Sequence, residues 1–361
     1  VRALPPTADA GQMHADLCER FADFDVELRL AHHCAHHLAP VLQGTVDPLQ
    51  VLFEGEAGKL TAEIYSRAPV ARFYNAVLTR SIARLIEALP SDRPIRILEI
   101  GAGTGGTTQA LLPVLPMDRV EYVFTDVSSL FLARARDTFA KYEAIDYRML
   151  DLEVEPATQG FADGQFDLIV ASNVLHATAN LRKSVQNARR LLTPGGLMVL
   201  LEGTGPRRLL DLIFGLTEGW WKFVDDGVRP DYPLISPMEW RKLLLEEGFD
   251  TITALPEGDE RLPDPDQVVL LARLSVQAEE TAPTRDEVEP FRLVGEHPLA
   301  AALANLVPTS ADARQVVLLP GAVLSESVLS FDRLWEVSIG EWPSTIETGV
   351  EKIDLDPALS V

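Results

Sequence analysis

The stretch Ile97–Gly106, with the sequence ILEIGAGTGG, joins an apolar run to a glycine-rich turn. Gly101, Gly103 and Gly106 have the spacing G-x-G-x-x-G. The apolar, β-branched run predicts a buried strand, and glycine lets a backbone turn tightly and approach a ligand closely. A nicotinamide cofactor, a flavin, a phosphate group or S-adenosylmethionine can bind at such a turn. The pattern alone also occurs in tight turns that bind no ligand.

Apolar strands and amphipathic helices alternate on both sides of this turn. The predicted strands are residues 95–100, 120–126, 145–150, 166–173, 196–203, 251–256 and 267–274. The predicted helices are residues 106–115, 130–142, 181–192 and 236–249, the last with Ser236 as its N-cap. Continuous apolar strands that are separated by helices indicate an α/β fold, in which helices cover both faces of a parallel sheet.

The sequence predicts three segments. Residues 1–92 have helical periodicity, with a turn-rich interruption at 45–58 and a break at Pro69. Residues 93–274 form the α/β core. Residues 275–361 begin as an acidic linker and continue as the edge of a neighbouring domain, with strand-like stretches at 315–321 and 332–339.

Charge and composition exclude several classes of partner. The net charge is −22, and no basic stripe offsets it, so we expect neither nucleic acid nor an anionic membrane as a partner. No apolar run approaches the roughly 18 residues that a membrane span needs. Two cysteines form no disulfide framework, which favours a reducing, cytoplasmic location. The first residue is Val, and we expect a piece of a longer chain.

Three acids lie at or just after the carboxyl ends of successive strands, where ligands of this fold bind. Glu99 would repel a pyrophosphate but suits the ammonium group of a methionine moiety. Asp126 can accept both hydroxyls of a ribose. Asp151 can accept from the adenine amino group, and Leu152 beside it is assigned to the same site. Each acid alone is typical of a strand end or a cap, whereas together they favour S-adenosylmethionine over NAD.

Longer motifs add a family resemblance. The turn LLTPGGLMVLLE and the pair of closing strands resemble class I methyltransferases over residues 94–274. The stretches EIYSRAPVARFYNAV, YVFTDVSSLFLARA, FDLIVASNVLHAT, GLTEGWWKF and RPDYPLISPMEW are similar to the methyltransferase domains of modular bacterial polyketide synthases. This narrower resemblance covers residues 15–274.

The resemblance implies a Rossmann-like sheet with one antiparallel closing strand, preceded by a mostly helical lid. It implies S-adenosylmethionine as cofactor, and an acyl chain on the phosphopantetheine arm of an acyl carrier protein as substrate. Methylation of the α-carbon of a β-ketoacyl thioester is the main expectation, and O-methylation of a hydroxyl or enol oxygen is the alternative. His176 and Glu202 match the catalytic pair of the family. Neighbouring synthase domains would act in cis within a multifunctional enzyme.

The residues themselves also favour His176 and Glu202. Both follow strands that are neighbours in this topology, so their ends lie side by side. Histidine can accept a proton near neutral pH, and a neighbouring carboxylate fixes its tautomer and stabilises its cation. The alternatives are a helix-start residue for His176 and a loop carboxylate for Glu202.

Other candidates are less specific. Tyr65 lies in the lid-like segment, and Trp220 and Trp221 are assigned to the acyl substrate, with packing as the alternative for all three. Asn173 is assigned to the methionine portion of the cofactor, or to a turn. Four histidines lie in HHCAHH at residues 32–37, with the four-residue spacing that zinc accepts, but no nearby acid or cysteine pair completes a site, and we expect no metal.

Overall fold

The computed structural model describes residues 9–88, 93–225, 227–256, 266–276, 291–294 and 314–317. The chain divides into two compact units, Val1–Gln277 and Ala278–Val361. The finer division that the sequence suggests, with boundaries after residues 92 and 274, stays a prediction. In the described part of the chain, no helix is long and apolar enough to cross a membrane.

The first unit is built on a sheet that contains seven described strands. They are β1 Ile95–Ile100, β2 Val120–Asp126, β3 Ile145–Met149, β4 Phe166–Ser172, β5 Leu192–Gly203, β6 Phe249–Leu255 and β7 Gln267–Leu274. Their order is β3-β2-β1-β4-β5-β7-β6, and β7 runs antiparallel to both of its neighbours. This confirms the predicted α/β class with one antiparallel closing strand. The largest error in a strand boundary is at β5, which begins at Leu192 instead of residue 196, so the Pro-Gly-Gly turn lies within the strand; β3, β4 and β6 differ from their predicted bounds by one or two residues. The helices predicted at 106–115 and 130–142 end earlier, at Leu111 and Thr138.

Ten helices of the first unit fall within the described residues. They are α1 Ala10–Arg20, α2 Asp25–Leu42, α3 Pro48–Phe53, α4 Gly55–Ser66, α5 Pro69–Ala88, α6 Gly106–Leu111, α7 Ser129–Thr138, α8 Leu181–Leu191, α9 Arg208–Ile213 and α10 Pro237–Glu246. Ser236 caps α10 as predicted, and Glu239 completes the capping box.

Side chains that alternate along β1 enter two different cores. Leu98 and Ile100 pack on the face that α8 and α10 cover, together with Val185 and Trp240. Ile97 packs on the opposite face, which α5, α6 and α7 cover. A strand that is buried on both faces is mainly apolar, which is why the sequence pattern identified β1 even though it contains Arg96 and Glu99.

The N-terminal helices have a third core of their own. Leu30 and Cys34 of α2 pack with Leu52 of α3, Leu60 of α4 and Ile213 of α9. By contrast, α5 packs directly on the sheet. The helical prediction for this region is therefore confirmed, but its predicted lid function stays a proposal.

The predicted turn-rich interruption at residues 45–58 is wrong, because α3 and the start of α4 occupy it. Asp47 caps α3 by accepting from the backbone N–H of Leu49 at 2.8 Å, and Pro48 occupies the first turn. Gly58 allows α4 to pack closely against the end of α3, since a Cβ at this position would lie 2.5 Å from the Phe53 carbonyl oxygen. Glycine and proline here start and pack helices instead of breaking them.

In the second unit, β8 Phe291–Val294 pairs in parallel with β9 Arg314–Val317. The start of the predicted strand at 315–321 lies in β9. The predicted stretch at 332–339 lies outside the described residues.

Candidate active site

His176 and Glu202 meet at the ends of two neighbouring parallel strands. β4 pairs with β5 up to Ser172 and Leu201, so the turn that follows β4 lies beside the end of β5. Nδ1 of His176 lies 2.7 Å from Oε2 of Glu202. Because a carboxylate oxygen only accepts hydrogen bonds, Nδ1 donates and Nε2 is left as the basic nitrogen.

Glu202 is held rigidly behind the imidazole. The residue is fully buried. Its second oxygen, Oε1, accepts the backbone N–H groups of Val174 at 3.2 Å and Leu175 at 2.9 Å. The His176 side chain is 11% exposed, which leaves one part of the ring accessible. The pair can therefore take a proton from a bound substrate while the buried carboxylate stabilises the resulting cation.

Aromatic side chains surround the imidazole. The buried Trp220 ring meets the His176 ring edge-on, with centroids 5.4 Å apart. Trp220 also stacks on Phe214 at 6.0 Å, and Tyr65 of α4 lies 6.2 Å from Phe214. Burial, and next the Glu202 carboxylate, raises the pKa of Tyr65 well above its ordinary value, so the hydroxyl remains a donor. Trp221 differs, because it is 48% exposed and donates to the Gly215 carbonyl.

The glycine loop that follows β1 is hydrogen-bonded to Asp126, the acid at the end of β2. Oδ2 of Asp126 accepts the Gly103 N–H at 2.9 Å, and Oδ1 accepts the Ser128 N–H at 2.8 Å. Gly101 has φ +58°, and a Cβ there would lie 2.2 Å from Cγ2 of Val174. The loop therefore needs glycine for its conformation and for its close approach to the turn that carries His176.

Position 106 requires glycine for a different reason from the one that the motif suggests. Its φ is not in the left-handed region, but a Cβ would lie 2.7 Å from the Tyr65 carbonyl oxygen. The third glycine of the motif thus permits α4 to pack against α6. This contact also fixes the backbone of Tyr65 relative to the glycine loop.

Glu99 is buried and only partly satisfied. Its Oε2 accepts from the hydroxyls of Thr108 and Tyr122, each at 2.6 Å. Its Oε1 is buried without a hydrogen-bond partner among the described residues. Burial raises the pKa of Glu99 to about 7, although both hydroxyl bonds oppose the rise. An unpaired buried carboxylate oxygen fits an incoming ammonium group.

The residues predicted to bind the adenine ring form a less complete site. Oδ1 of Asp151 accepts the backbone N–H of Glu153 at 2.9 Å, and the residue is partly exposed. Leu152 packs in the core, and its carbonyl accepts from Nδ2 of Asn187 at 2.8 Å. The side chain and the carbonyl group of Leu152 therefore both face the protein interior, whereas the Asp151 carboxylate can still accept a hydrogen bond from a ligand.

Asn173 has a clear turn role. Its φ is +50°, its N–H donates to the Leu201 carbonyl at 2.7 Å, and its Oδ1 accepts from Nε2 of Gln267 at 3.3 Å. Asparagine tolerates this left-handed conformation better than most residues. Its predicted contact with the cofactor stays a prediction.

Sequence reasoning missed three charged residues that hold the turn after β4. Glu153 accepts the Ala179 N–H at 2.6 Å, Asp225 accepts the Leu181 N–H at 2.7 Å, and the buried Arg229 donates to the His176 carbonyl at 2.8 Å. The spacing of Asp225 and Arg229, four apart in a segment with several aromatics, was the available signal.

The histidines of α2 bond mainly to one another and to the backbone. His32 and His36 have their Nε2 atoms 3.0 Å apart, His33 contacts the Val51 carbonyl at 3.2 Å, and His37 contacts the His33 carbonyl at 2.8 Å. In the described ranges no group of three or more histidine, cysteine or acidic residues is arranged to hold a metal ion.

Comparison with known proteins identifies a methyltransferase fold. A family model described as a methyltransferase domain matches residues 98–198. The structure of CurJ carbon methyltransferase is 41% identical, with a TM-score of 0.72 and coverage of 74% of this chain and 72% of that chain. The citrinin polyketide synthase CMeT domain is 32% identical, with a TM-score of 0.70 and coverage of 76% and 72%.

This chain belongs to the methyltransferase domains of polyketide synthases. Among curated relatives, the domain is 36% identical over 253 residues to the non-reducing polyketide synthase mapC of Penicillium brevicompactum. That match covers 68% of this chain but only 10% of the relative, so this methyltransferase domain spans about a tenth of the synthases it matches. A polyketide synthase–nonribosomal peptide synthetase of Pyricularia grisea is 37% identical over 264 residues, which are 73% of this chain and 6% of that protein. These relatives are fungal, and they do not support the predicted bacterial origin.

Proposed function

We propose that this domain transfers a methyl group from S-adenosylmethionine to the α-carbon of a β-ketoacyl thioester. The acyl chain is carried on the phosphopantetheine arm of an acyl carrier protein. The observation that carries the proposal is the contact of 2.7 Å between Nδ1 of His176 and the fully buried Glu202. Such a pair supplies a weak base at neutral pH, which is sufficient for a carbon acid flanked by two carbonyl groups.

We assign the proton transfer to His176. Nε2 of His176 takes the α-proton, and the electron pair passes into the enolate of the β-ketothioester. Glu202 stabilises the imidazolium and keeps Nδ1 as the donor. S-adenosylmethionine, when held by the glycine loop, Asp126, Asp151 and Glu99, would supply the electrophilic methyl group: its bond to the sulfonium sulfur would break as the bond to the α-carbon forms, leaving S-adenosylhomocysteine. His176 afterwards releases its proton to solvent.

S-adenosylmethionine is the cofactor of this domain, and the glycine loop and three acidic side chains fit it. Gly101 and Gly103 allow close approach of the backbone. We assign the ribose hydroxyls to Asp126, the adenine amino group to Asp151 and the ammonium group to the unpartnered Oε1 of Glu99. The structure of CalH, a trans-methyltransferase that is 29% identical with a TM-score of 0.62, contains SAH. It covers 73% of this chain and 72% of that chain.

The acceptor side is assigned to the aromatic residues around His176. We assign to Tyr65 the donation of a hydrogen bond to the enolate oxygen, and its raised pKa, which keeps the hydroxyl protonated, supports this role. Trp220 is buried against His176 and forms a wall for the acyl chain. Trp221 is exposed and bonded to Gly215, so its assignment to the substrate has weaker support. In this proposal α1–α4 form the lid over the site.

The acceptor atom can be tested directly. Purified domain is incubated with ¹³C-methyl S-adenosylmethionine and with acyl carrier protein that bears either a β-ketoacyl or a matched β-hydroxyacyl chain. We expect label on the α-carbon of the β-keto chain, located by NMR after release, and none on the β-hydroxy chain, whose α-proton is far less acidic. Label on oxygen would replace C-methylation with the O-methyl alternative.

We propose that the acyl carrier protein and the neighbouring synthase domains lie in the same polypeptide as this domain and act on it in cis. Tethering raises the effective concentration of a carrier protein without tight contact, which suits a chain with a net charge of −22. The cytoplasmic location stays a prediction.

A further inference from the structure

Arg229 is the most completely buried cation near the site. Its side chain has 0% exposure. Its Nη1 donates to the carbonyl of His176 at 2.8 Å, and its Nη2 donates to the carbonyls of Thr178 at 2.8 Å and Ala179 at 3.1 Å. Three backbone oxygens of the turn after β4 thus converge on one guanidinium group.

Asp225 completes this arrangement. Its Oδ1 accepts from Nε of Arg229 at 2.8 Å, and its Oδ2 accepts the N–H of Leu181 at 2.7 Å. The N–H of Val224 donates to the Ala179 carbonyl at 2.9 Å. The segment around Asp225 and Arg229 therefore grips the backbone from His176 to Leu181.

The turn that carries His176 has little stability of its own. It is a single 3₁₀ turn, Leu175–Ala177, with no side-chain cap. Short 3₁₀ turns have poor hydrogen-bond geometry and depend on their surroundings. Glu202 fixes the turn through the N–H groups of Val174 and Leu175, on the amino side of His176. Arg229 fixes it through carbonyl groups, beginning at His176 itself.

A buried guanidinium costs several kcal/mol unless every partner is well placed. A fold that needed only packing here would be served by an apolar side chain. Arginine has a planar fork of donors that lysine cannot reproduce, and the three carbonyls use that fork.

We propose that Arg229, oriented by Asp225, is a positioning residue that sets the imidazole of His176 against Glu202 and toward the acceptor. This inference rests on the proposed role of His176 as the base. Arg229 contacts neither substrate nor cofactor in this proposal and acts only through the backbone of the turn. Loss of the fork shifts the ring, and misplacement of a reacting group by about 1 Å can cost about 10²-fold in rate.

The test compares Arg229→Lys and Asp225→Asn with the control Arg96→Lys. Arg96 pairs with the largely buried Asp167, but it lies at the start of β1, at the opposite end of the sheet from His176. The first readout is the downfield proton resonance of the hydrogen bond from Nδ1 of His176 to Glu202, assigned by its loss in His176→Gln. The second is kcat and the KM for S-adenosylmethionine with a β-ketoacyl carrier protein.

We expect Arg229→Lys to lose or shift the resonance and to lower kcat about 10²-fold, with the cofactor KM unchanged. Asp225→Asn should show a smaller change of the same kind, and Arg96→Lys should match wild type. If Arg229→Lys does not fold, as a thermal melt would show, the two readouts on Asp225→Asn decide.

A wild-type resonance and kcat in the folded variants would overturn the inference and leave the His176–Glu202 pair standing. A lost resonance with wild-type kcat would support the positioning role of Arg229. That second outcome would overturn the proposed role of His176 instead, so the two failures are distinguishable.

Discussion

Oε2 of Glu202 lies 2.7 Å from Nδ1 of His176, although the two residues are 26 positions apart in the chain. Parallel pairing of β4 with β5 brings the two strand ends together. The glycine loop after β1 belongs to the same edge of the sheet, because β1 pairs in parallel with β4. A proton acceptor and a cofactor-binding loop are therefore neighbours by topology.

We predict that His176→Ala lowers methyl transfer by roughly 10²–10⁴-fold, the usual loss when a general base is removed. Affinity for S-adenosylmethionine should stay near the wild-type value, since the imidazole acts on the acceptor. Mass spectrometry of the acyl carrier protein measures the first quantity, and calorimetry measures the second. His36→Ala, which removes an exposed histidine of α2, is the matched control.

Glu202→Gln should also lose most activity, because it keeps the shape but removes the charge that supports the imidazolium. The double variant with His176→Ala should be little worse than His176→Ala alone, since residues that act as a unit are not additive. Losses that multiply in the double variant would show that the two residues act separately.

Tyr65→Phe tests the contribution of α4 to the acceptor site. The ring remains and keeps its packing near Phe214, so only the hydroxyl is lost. We expect kcat to fall about 10²-fold, the lower end for loss of one donor to a developing oxyanion. Cofactor affinity should not change. Tyr142→Phe, which lies just after the end of α7, is the control, and equal kcat in both variants would make Tyr65 a packing residue.

Asp126→Ala should weaken the binding of S-adenosylmethionine by roughly 10–100-fold, because loss of an acceptor leaves buried donors unpaired at about 1–3 kcal/mol. Asp146→Ala, an exposed acid on β3, should bind like wild type. A 2′-deoxy analogue of the cofactor separates direct from indirect effects. Wild type should discriminate against the analogue, and Asp126→Ala should not. Equal discrimination by both proteins would place the ribose elsewhere.

The sequence identified the sheet well because its central strands are largely buried on both faces. β1, β2 and β7 are mainly apolar, and their bounds agree with the predicted ones. The pair of His176 and Glu202 could be expected for a related reason. The carboxyl ends of adjacent parallel strands are neighbours whatever the length and conformation of the loops that connect them.

Other parts of the site could not be predicted, because they depend on contacts between distant segments. Gly106 looked like a ligand-binding glycine, but it makes room for the Tyr65 carbonyl of a helix more than forty positions away in the printed sequence. The hydroxyls of Thr108 and Tyr122 on Glu99 have no sequence pattern. The spacing of Asp225 and Arg229 indicates a pair, but only the folded chain shows that Arg229 is buried and donates to three backbone carbonyls.

Glu99 links pH to both stability and cofactor binding. Burial raises its pKa from 4.5 to about 7 in the folded protein. A carboxyl group whose pKa rises on folding favours the folded state while it is protonated. This contribution is complete below the pKa that the group has in the unfolded chain, and it is lost as pH rises through the pKa that it has in the folded protein. For this shift it amounts to about 3 kcal/mol between pH near 4.5 and pH near 7. An ammonium group beside Oε1 would favour the charged carboxylate and restore the loss.

We therefore predict two opposite trends for Glu99→Gln against wild type. Without cofactor, thermal melts should show the variant gaining stability relative to wild type as pH rises from 5 to 8, because glutamine never ionises. With S-adenosylmethionine, calorimetry should show wild type binding increasingly tighter than the variant from pH 6 to 7.5, below the range of about 7.7–8.0 in which an α-amino group loses its proton. Glu121→Gln, an exposed acid on β2, should follow wild type in both measurements. Equal cofactor affinity of Glu99→Gln and wild type at every pH would restrict Glu99 to its bonds with Thr108 and Tyr122 and would remove it from the cofactor site.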